Sequence, residues 1–283
     1  MKYLPARLQG ASRQIPRKVF MTWETLPAPP EMEQKMMSWV TANPSYDFYF
    51  YDAADRLAFL KTHFEPAVFA AYDELIPKAF KADLWRYCVL LVEGGIYVDS
   101  KCEAHLPLDE VIRDCDECCV PHDTDTFIAI AWLAFRNGHD ILRLLIAHIV
   151  GRVQRFDKSP HPLALSGPAV FSAAFNMHFG ITKRIPRTAM ETYQILLYER
   201  DQIFTVDGVL LCRTTYDGYK EKNNPMWKHY PQLWALDVVF KSKVSPAVVE
   251  FLERDIKDAE IGREIHALLK CLHDGRSGDN IGK

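Results

Sequence analysis

Asp83, Arg86, Asp99 and Lys101 fall within one short stretch, residues 82–103, ADLWRYCVLLVEGGIYVDSKCE. Their chemistry is that of holding hydroxylated or anionic ligands. A guanidinium offers a planar fork of donors, a carboxylate accepts hydroxyl donors or a hard cation, and an ammonium places a compact positive charge. Asp83 and Arg86 are three apart, so on a helix they occupy neighbouring parts of one face. Taken alone they would also suit a surface ion pair worth roughly 0.3 kcal/mol.

The elements that must position these groups are legible around them. Leu84, Cys88, Leu91 and Val92 recur at helical spacing, so 82–93 is expected to be helix. Gly94-Gly95 ends it, because glycine enters the left-handed region at a helix C-terminus without steric cost. Ile96-Tyr97-Val98 follows as a short buried strand, with Asp99 where the strand runs out. The carboxyl ends of strands are where open α/β sheets bind ligands. Continued extended geometry would put Asp99, Lys101 and Glu103 on one face and turn Ser100 and Cys102 away.

Upstream, Val19–Trp23 reads as a first strand, Glu31–Ala42 as a helix ended by Asn43-Pro44, and Asp47–Tyr51 as an aromatic strand before two helices up to Ile76. That β-α-β-α-β order implies a largely parallel sheet covered by helices. Downstream, 118–121 and 127–135 are expected strands, 139–155 a helix, and a further helix follows Gly167-Pro168. Residues 194–214 should hold short strands broken at Asp201 and Asp207-Gly208, and 215–235 an aromatic polar loop. Ser245-Pro246 should open an amphipathic helix to about Leu272. No repeat or linker divides the 283 residues, so the expectation is one domain.

Composition narrows the classes. Hydrophobic content of 48% and charged content of 25% are those of an ordinary globular protein, and a net charge of −3 gives no electrostatic case for nucleic acid. No apolar run approaches the ~20 residues of a membrane span, and the first fourteen residues lack a signal-peptide core. The expected location is therefore cytoplasmic, with at most peripheral membrane contact. Seven cysteines argue against a complete disulfide framework; Cys115, Cys118, Cys119 and His122 have a spacing that could suggest zinc, but a structural site usually uses two separated ligand pairs, and Cys118 and Cys119 read as free thiols that begin a strand. Phosphate-loop, nucleophile-elbow and H-E-x-x-H motifs are missing, which disfavours a kinase, an α/β hydrolase and a metalloprotease.

The pattern A-D-L-W-R-Y, an apolar run, G-G-I-Y and then Asp resembles glycosyltransferase family 32, whose members include initiating α-1,6-mannosyltransferases and capsular-polysaccharide transferases with a DXD sugar-binding region. Ile15-Pro16-Arg17-Lys18-Val19 through Trp23, and Trp39 with Asn43-Pro44 and Tyr51-Asp52, are similar to its opening segments. Asn137-Gly138-His139, Ser166-Gly167-Pro168, and His229 with Trp234 resemble later landmarks. The resemblance spans about 15–235. It implies a glycosyltransferase A-type α/β domain, with a nucleotide-sugar half at about 15–105 and an acceptor-side half at about 106–272.

The same resemblance implies retaining transfer of a hexose from a UDP- or GDP-sugar to a saccharide or glycolipid acceptor. It puts Asp83, Arg86 and Gly95 at the donor sugar, Thr22, Trp23 and Tyr97 at the nucleotide, and His229 and Trp234 in a closing loop. Asp99 and Lys101 would be the catalytic pair. Here the second aspartate of the motif is Lys101. Either Asp99 carries Mn2+ or Mg2+ with phosphates and water, or the Lys101 ammonium takes over part of the cation's role. The literal triplet Asp123-Thr124-Asp125 lacks the helix–glycine–strand context and reads as a hairpin connection. The alternatives are a degenerate nucleotide-sugar or glycan binder and a transferase acting on a protein.

Overall fold

The computed structural model describes residues 1–10, 12–123, 127–181, 192–219 and 229–253. Among the described residues ten strands form one sheet. Three precede the segment above: β1 (Lys2–Leu4), β2 (Lys18–Thr22) and β3 (Asp47–Tyr51); β4 is Gly95–Val98. After it come β5 (Glu103–Ala104), β6 (Cys118–Asp123), β7 (Trp132–Phe135), β8 (Tyr193–Glu199), β9 (Gln202–Phe204) and β10 (Leu210–Arg213). Their order is β1-β3-β2-β4-β7-β6-β8-β9-β10-β5. The sheet is mixed: β3-β2-β4 and β6-β8 pair in parallel, and the other neighbours are antiparallel.

Helices cover both faces. On one face lies α1 (Pro30–Ala42), whose Met32, Met36, Trp39 and Val40 meet Val19, Met21, Phe48, Ile96 and Val98. On the other are α2 (Ala53–His63), α3 (Pro66–Glu74), α4 (Lys78–Glu93), α5 (Asp140–Gln154) and α6 (Pro168–His178), packed over Phe20, Tyr51, Tyr97, Leu133 and Phe135. Strand alternation divides β4 between the two cores: Ile96 and Val98 face α1, Tyr97 faces α4. This is the expected α/β architecture, and the parallel β3-β2-β4 block brings the carboxyl ends of β2 and β4 side by side.

Two glycines shape the approach to β4. Gly94 caps α4 at φ +63°, and a Cβ there would lie 2.6 Å from the Asn137 backbone nitrogen. Gly95 has φ +100°, and a Cβ there would stand 2.5 Å from the Lys18 carbonyl oxygen. Only glycine tolerates that combination of backbone angle and close approach.

Several expectations change in detail. Helix α4 begins at Lys78, a turn earlier than the apolar periodicity indicates. The expected 127–135 strand reduces to β7, preceded by a single Ile128–His122 bridge. The aromatic 215–235 segment contains a short helix α7 (Tyr230–Ala235). The C-terminal helix α8 runs Pro246–Glu253; its expected continuation to Leu272 lies outside the described residues. At the start of β2, Lys18 pairs with Glu93 at 2.7 Å, and Arg17 pairs with Asp109. Among the described residues no helix is long and apolar enough to cross a membrane.

Candidate functional site

Helix α4 carries Asp83 and Arg86 inward, because the helix packs against the sheet on one side and other helices elsewhere. Both are buried, which removes the surface ion-pair reading. Arg86 Nη2 lies 3.0 Å from Asp83 Oδ1 and 3.5 Å from Asp99 Oδ1. Its Nη1 donates to the Ile130 carbonyl at 2.5 Å, and the guanidinium sits 4.5 Å from the Tyr97 ring centre. Tyr97 in turn donates its hydroxyl to Asp99 Oδ1 at 2.8 Å. Arg86 is thus the counter-ion of two carboxylates, one from the helix and one from the strand end.

Burial pushes the Asp83 carboxyl up to about 6, although Arg86 and the Ser166 hydroxyl both favour its ionised form. Ser166 Oγ donates to Asp83 Oδ2 at 2.9 Å, and Ser166 is itself held by Tyr87, whose hydroxyl donates to the Ser166 carbonyl at 2.8 Å. Burial opposes the charge on Arg86, but Tyr97, Asp83 and Asp99 outweigh it and hold the guanidinium above its ordinary range.

Past Asp99 the chain turns instead of continuing extended, with the Cys102 amide donating to the Asp99 carbonyl at 2.9 Å. The turn brings Lys101 Nζ to 3.4 Å from Asp99 Oδ2 and 5.2 Å from the Tyr219 ring centre. Glu103 therefore does not share a face with them; it is in β5 and pairs with Lys35 at 2.9 Å. Ser100 faces the interior and donates to the Thr22 carbonyl at 2.8 Å, tying the turn to the end of β2.

Thr22 is buried with its hydroxyl engaged: it donates to the Tyr51 carbonyl at 2.8 Å and accepts from Arg56 Nη1 at 2.6 Å. Arg56 also reaches Glu24 Oε1 at 2.5 Å and the Tyr72 hydroxyl at 2.9 Å, so it pins the loop after β2. Trp23 is half-buried beside the turn, edge-on to Tyr219 at 6.5 Å between ring centres. Gly95 stands at the opposite end of β4 from Asp99, where its role is the close approach to Lys18.

His229 precedes α7 and its ring lies 4.8 Å from that of Tyr230. Tyr230 packs on Phe80 of α4 at 5.5 Å, and its hydroxyl pKa is raised by burial and then by the charge of Asp83. Trp234 is held by Lys158: its indole donates to the Lys158 carbonyl at 3.1 Å, and the Lys158 ammonium lies 4.7 Å from its ring centre. The structure thus gathers Asp83, Arg86, Tyr97, Asp99 and Lys101 with Thr22 and Trp23 alongside, and anchors Trp234 to the 158 segment. Ser166, Arg56 and Tyr219 complete the site. Ser166 lies in the S-G-P landmark and Tyr219 in the aromatic loop, whereas no sequence signal marks Arg56.

The donor set does not fit the expected Mn2+ or Mg2+. Asp99 has Lys101 and Arg86 within 3.5 Å, and Asp83 is engaged by Arg86 and Ser166. No group of three His, Cys, Asp or Glu side chains among the described residues is arranged to hold a metal ion. The same holds for the cysteines. Cys118 and Cys119 are free thiols buried in the two opposite cores, and Cys115 is exposed. Asp123 ends β6 and accepts the Phe127 amide at 2.8 Å, while Thr124 and Asp125 lie outside the described residues.

The site is thus a set of paired acidic and basic side chains at the strand ends of an α/β sheet, reached through a helix–glycine–strand unit. Residues 29–116 match the family described as "Glycosyltransferase sugar-binding region containing DXD motif". The chain is 24% identical over 138 residues to inositol phosphoceramide mannosyltransferase 3 of Schizosaccharomyces pombe, across 49% of this chain and 38% of that protein. It is 33% identical over 89 residues to an uncharacterized glycosyltransferase of Acanthamoeba polyphaga mimivirus, across 30% of this chain and 35% of that one. The chain thus spans little more than a third of the length of these curated relatives. Among solved structures, the PaToxG glycosyltransferase aligns with a TM-score of 0.47 at 20% identity, over 59% of this chain and 70% of that one.

Proposed function

We propose that the protein transfers a hexose from a nucleotide diphosphate sugar to a saccharide or glycolipid acceptor, with retention at the anomeric carbon, on a glycosyltransferase A-type scaffold of family 32. The observation that carries this is the Asp83–Arg86–Asp99–Lys101 cluster at the carboxyl ends of β2 and β4, inside the segment matched to the sugar-binding family. The mannosyltransferase relative supports a hexose donor.

In this reading the donor's glycosidic C–O bond breaks with its electron pair going to the diphosphate. The acceptor hydroxyl oxygen forms the new bond on the same face, and its proton goes to the departing phosphate oxygen. Positive charge fixed beforehand near that oxygen stabilises the transition state without reorganisation. Asp83 and Arg86 orient the sugar hydroxyls, Asp99 aligns the cation that meets the diphosphate, and Trp23 with Tyr219 forms the wall for the base. Tyr97 holds Asp99 in its rotamer. Residues 1–283 act as one catalytic unit, with the donor half at about 15–105 and His229 and Trp234 on the closing side. A cytoplasmic site of action with peripheral membrane contact goes with this reading.

The test is release of free nucleotide diphosphate from a panel of UDP- and GDP-sugars. Release from one donor, lost in Asp99→Asn with the fold intact, supports the assignment; no release and no donor binding by calorimetry overturns it.

A further inference from the structure

We propose that Lys101 is the resident cation of this site, so that the protein engages a nucleoside diphosphate without a divalent metal. The inference rests on the donor-site reading and narrows it. It comes from how the Asp99 carboxylate is occupied. Oδ1 accepts the Tyr97 hydroxyl at 2.8 Å and faces Arg86 Nη2 at 3.5 Å; Oδ2 faces Lys101 Nζ at 3.4 Å. A divalent ion bound to either oxygen would sit against two fixed positive charges. Neighbouring like charges disfavour one another's charged state, most strongly where water is scarce. Asp83, the other carboxylate, is engaged by Arg86 at 3.0 Å and Ser166 at 2.9 Å. The second carboxylate that would outweigh the repulsion stands replaced, in sequence, by the lysine itself.

Lys101 is also built to face a ligand. Its side chain keeps 28% of its surface exposed while Asp99 holds the ammonium on one side and the Tyr219 ring lies 5.2 Å away. An ammonium has three donors, so the remaining N–H bonds are available to phosphate oxygens. The turn that carries it is clamped twice, by Ser100 to the Thr22 carbonyl at 2.8 Å and by the Cys102 amide to the Asp99 carbonyl at 2.9 Å. Charge held in a fixed position is worth more to a developing anion than charge that must first be gathered.

The experiment is calorimetric titration of the full chain with UDP and with GDP, each in EDTA and in Mn2+, together with Mn2+ alone. One diphosphate is expected to bind equally well in EDTA and in Mn2+. Lys101→Met should weaken that binding by about tenfold or more, the loss of one charge-assisted contact. Lys101→Asp, which restores a second aspartate, should bind only with Mn2+. Circular dichroism of both variants should match the wild type, since the side chain is partly exposed. Wild-type binding that needs Mn2+, or Lys101→Met binding as wild type does, overturns the proposal. Failure of both diphosphates to bind anywhere overturns the donor-site reading instead. The titration with Mn2+ alone then decides the cation: uptake by the wild type refutes Lys101, and uptake by Lys101→Asp only supports it.

Discussion

Ser166 and Asp83 are separated by 83 residues in the chain and by 2.9 Å in the fold, where the serine hydroxyl donates to a buried carboxylate. That contact favours the ionised form of a group that burial pushes up to about 6. If ionised Asp83 orients the donor, activity falls as pH drops through about 6. Ser166→Ala removes the donation, so the acid limb of kcat/KM should move to higher pH; an unmoved limb would detach Ser166 from Asp83's ionisation.

The same raised carboxyl fixes the sign of a stability effect. Between the ordinary value of 3.8 and about 6, the folded state keeps a proton that the unfolded chain has released. Wild-type stability should therefore fall as pH rises through that window and level off above it. Denaturant midpoints of wild type and Asp83→Asn from pH 4 to 7 read this directly: the wild type loses ground to the variant as pH rises, then runs parallel.

Arg86 serves two carboxylates and the Ile130 carbonyl. Removing one partner of a buried ion pair costs about 3–5 kcal/mol, because the other charge stays behind unpaired. Arg86→Ala should lose stability on that scale, measured by chemical denaturation. Arg86→Lys keeps charge but not the fork, and should fold while losing most of its activity. Equal activity in Arg86→Lys and wild type would show that the fork geometry is not used.

Gly95→Ala tests the scaffold beneath the site. The added Cβ meets the Lys18 carbonyl at 2.5 Å from a backbone at φ +100°. The strain alone costs about 1–3 kcal/mol, and relief requires β4 to move away from β2, carrying Asp99 with it. Reduced thermal stability together with weakened diphosphate binding is the expected result.

Trp23 beside Tyr219 offers the aromatic wall for a base. Stacking of one base on an aromatic side chain is worth about 1–3 kcal/mol. Trp23→Ala should weaken nucleoside diphosphate binding by that amount in calorimetry, with pyrophosphate binding unchanged. A parallel loss of pyrophosphate binding would instead mark Trp23 as a support of the β2 loop.

How much of this was legible depends on where each residue's partners lie. The α4–Gly94–Gly95–β4 unit could be read because helix periodicity, a glycine stop and an apolar run are local signals, and the unit carries Asp83 and Arg86 and runs out at Asp99. The turn after Asp99 could not, because it is imposed by Ser100 reaching the Thr22 carbonyl, 78 residues earlier. Arg56 escaped for a related reason: its partners Thr22, Glu24 and Tyr72 sit on other elements. Strand β1 has three residues and no alternation to announce it; β3 recruits it by antiparallel pairing.

The most direct test of the central claim is donor turnover by the full chain, with free nucleotide diphosphate as the readout. UDP- and GDP-sugars would be offered with and without saccharide acceptors, to wild type and to Asp99→Asn. The wild type is expected to release diphosphate from one donor and the variant from none, with circular dichroism unchanged. No release from any donor, joined to no donor binding by calorimetry, would contradict the claim.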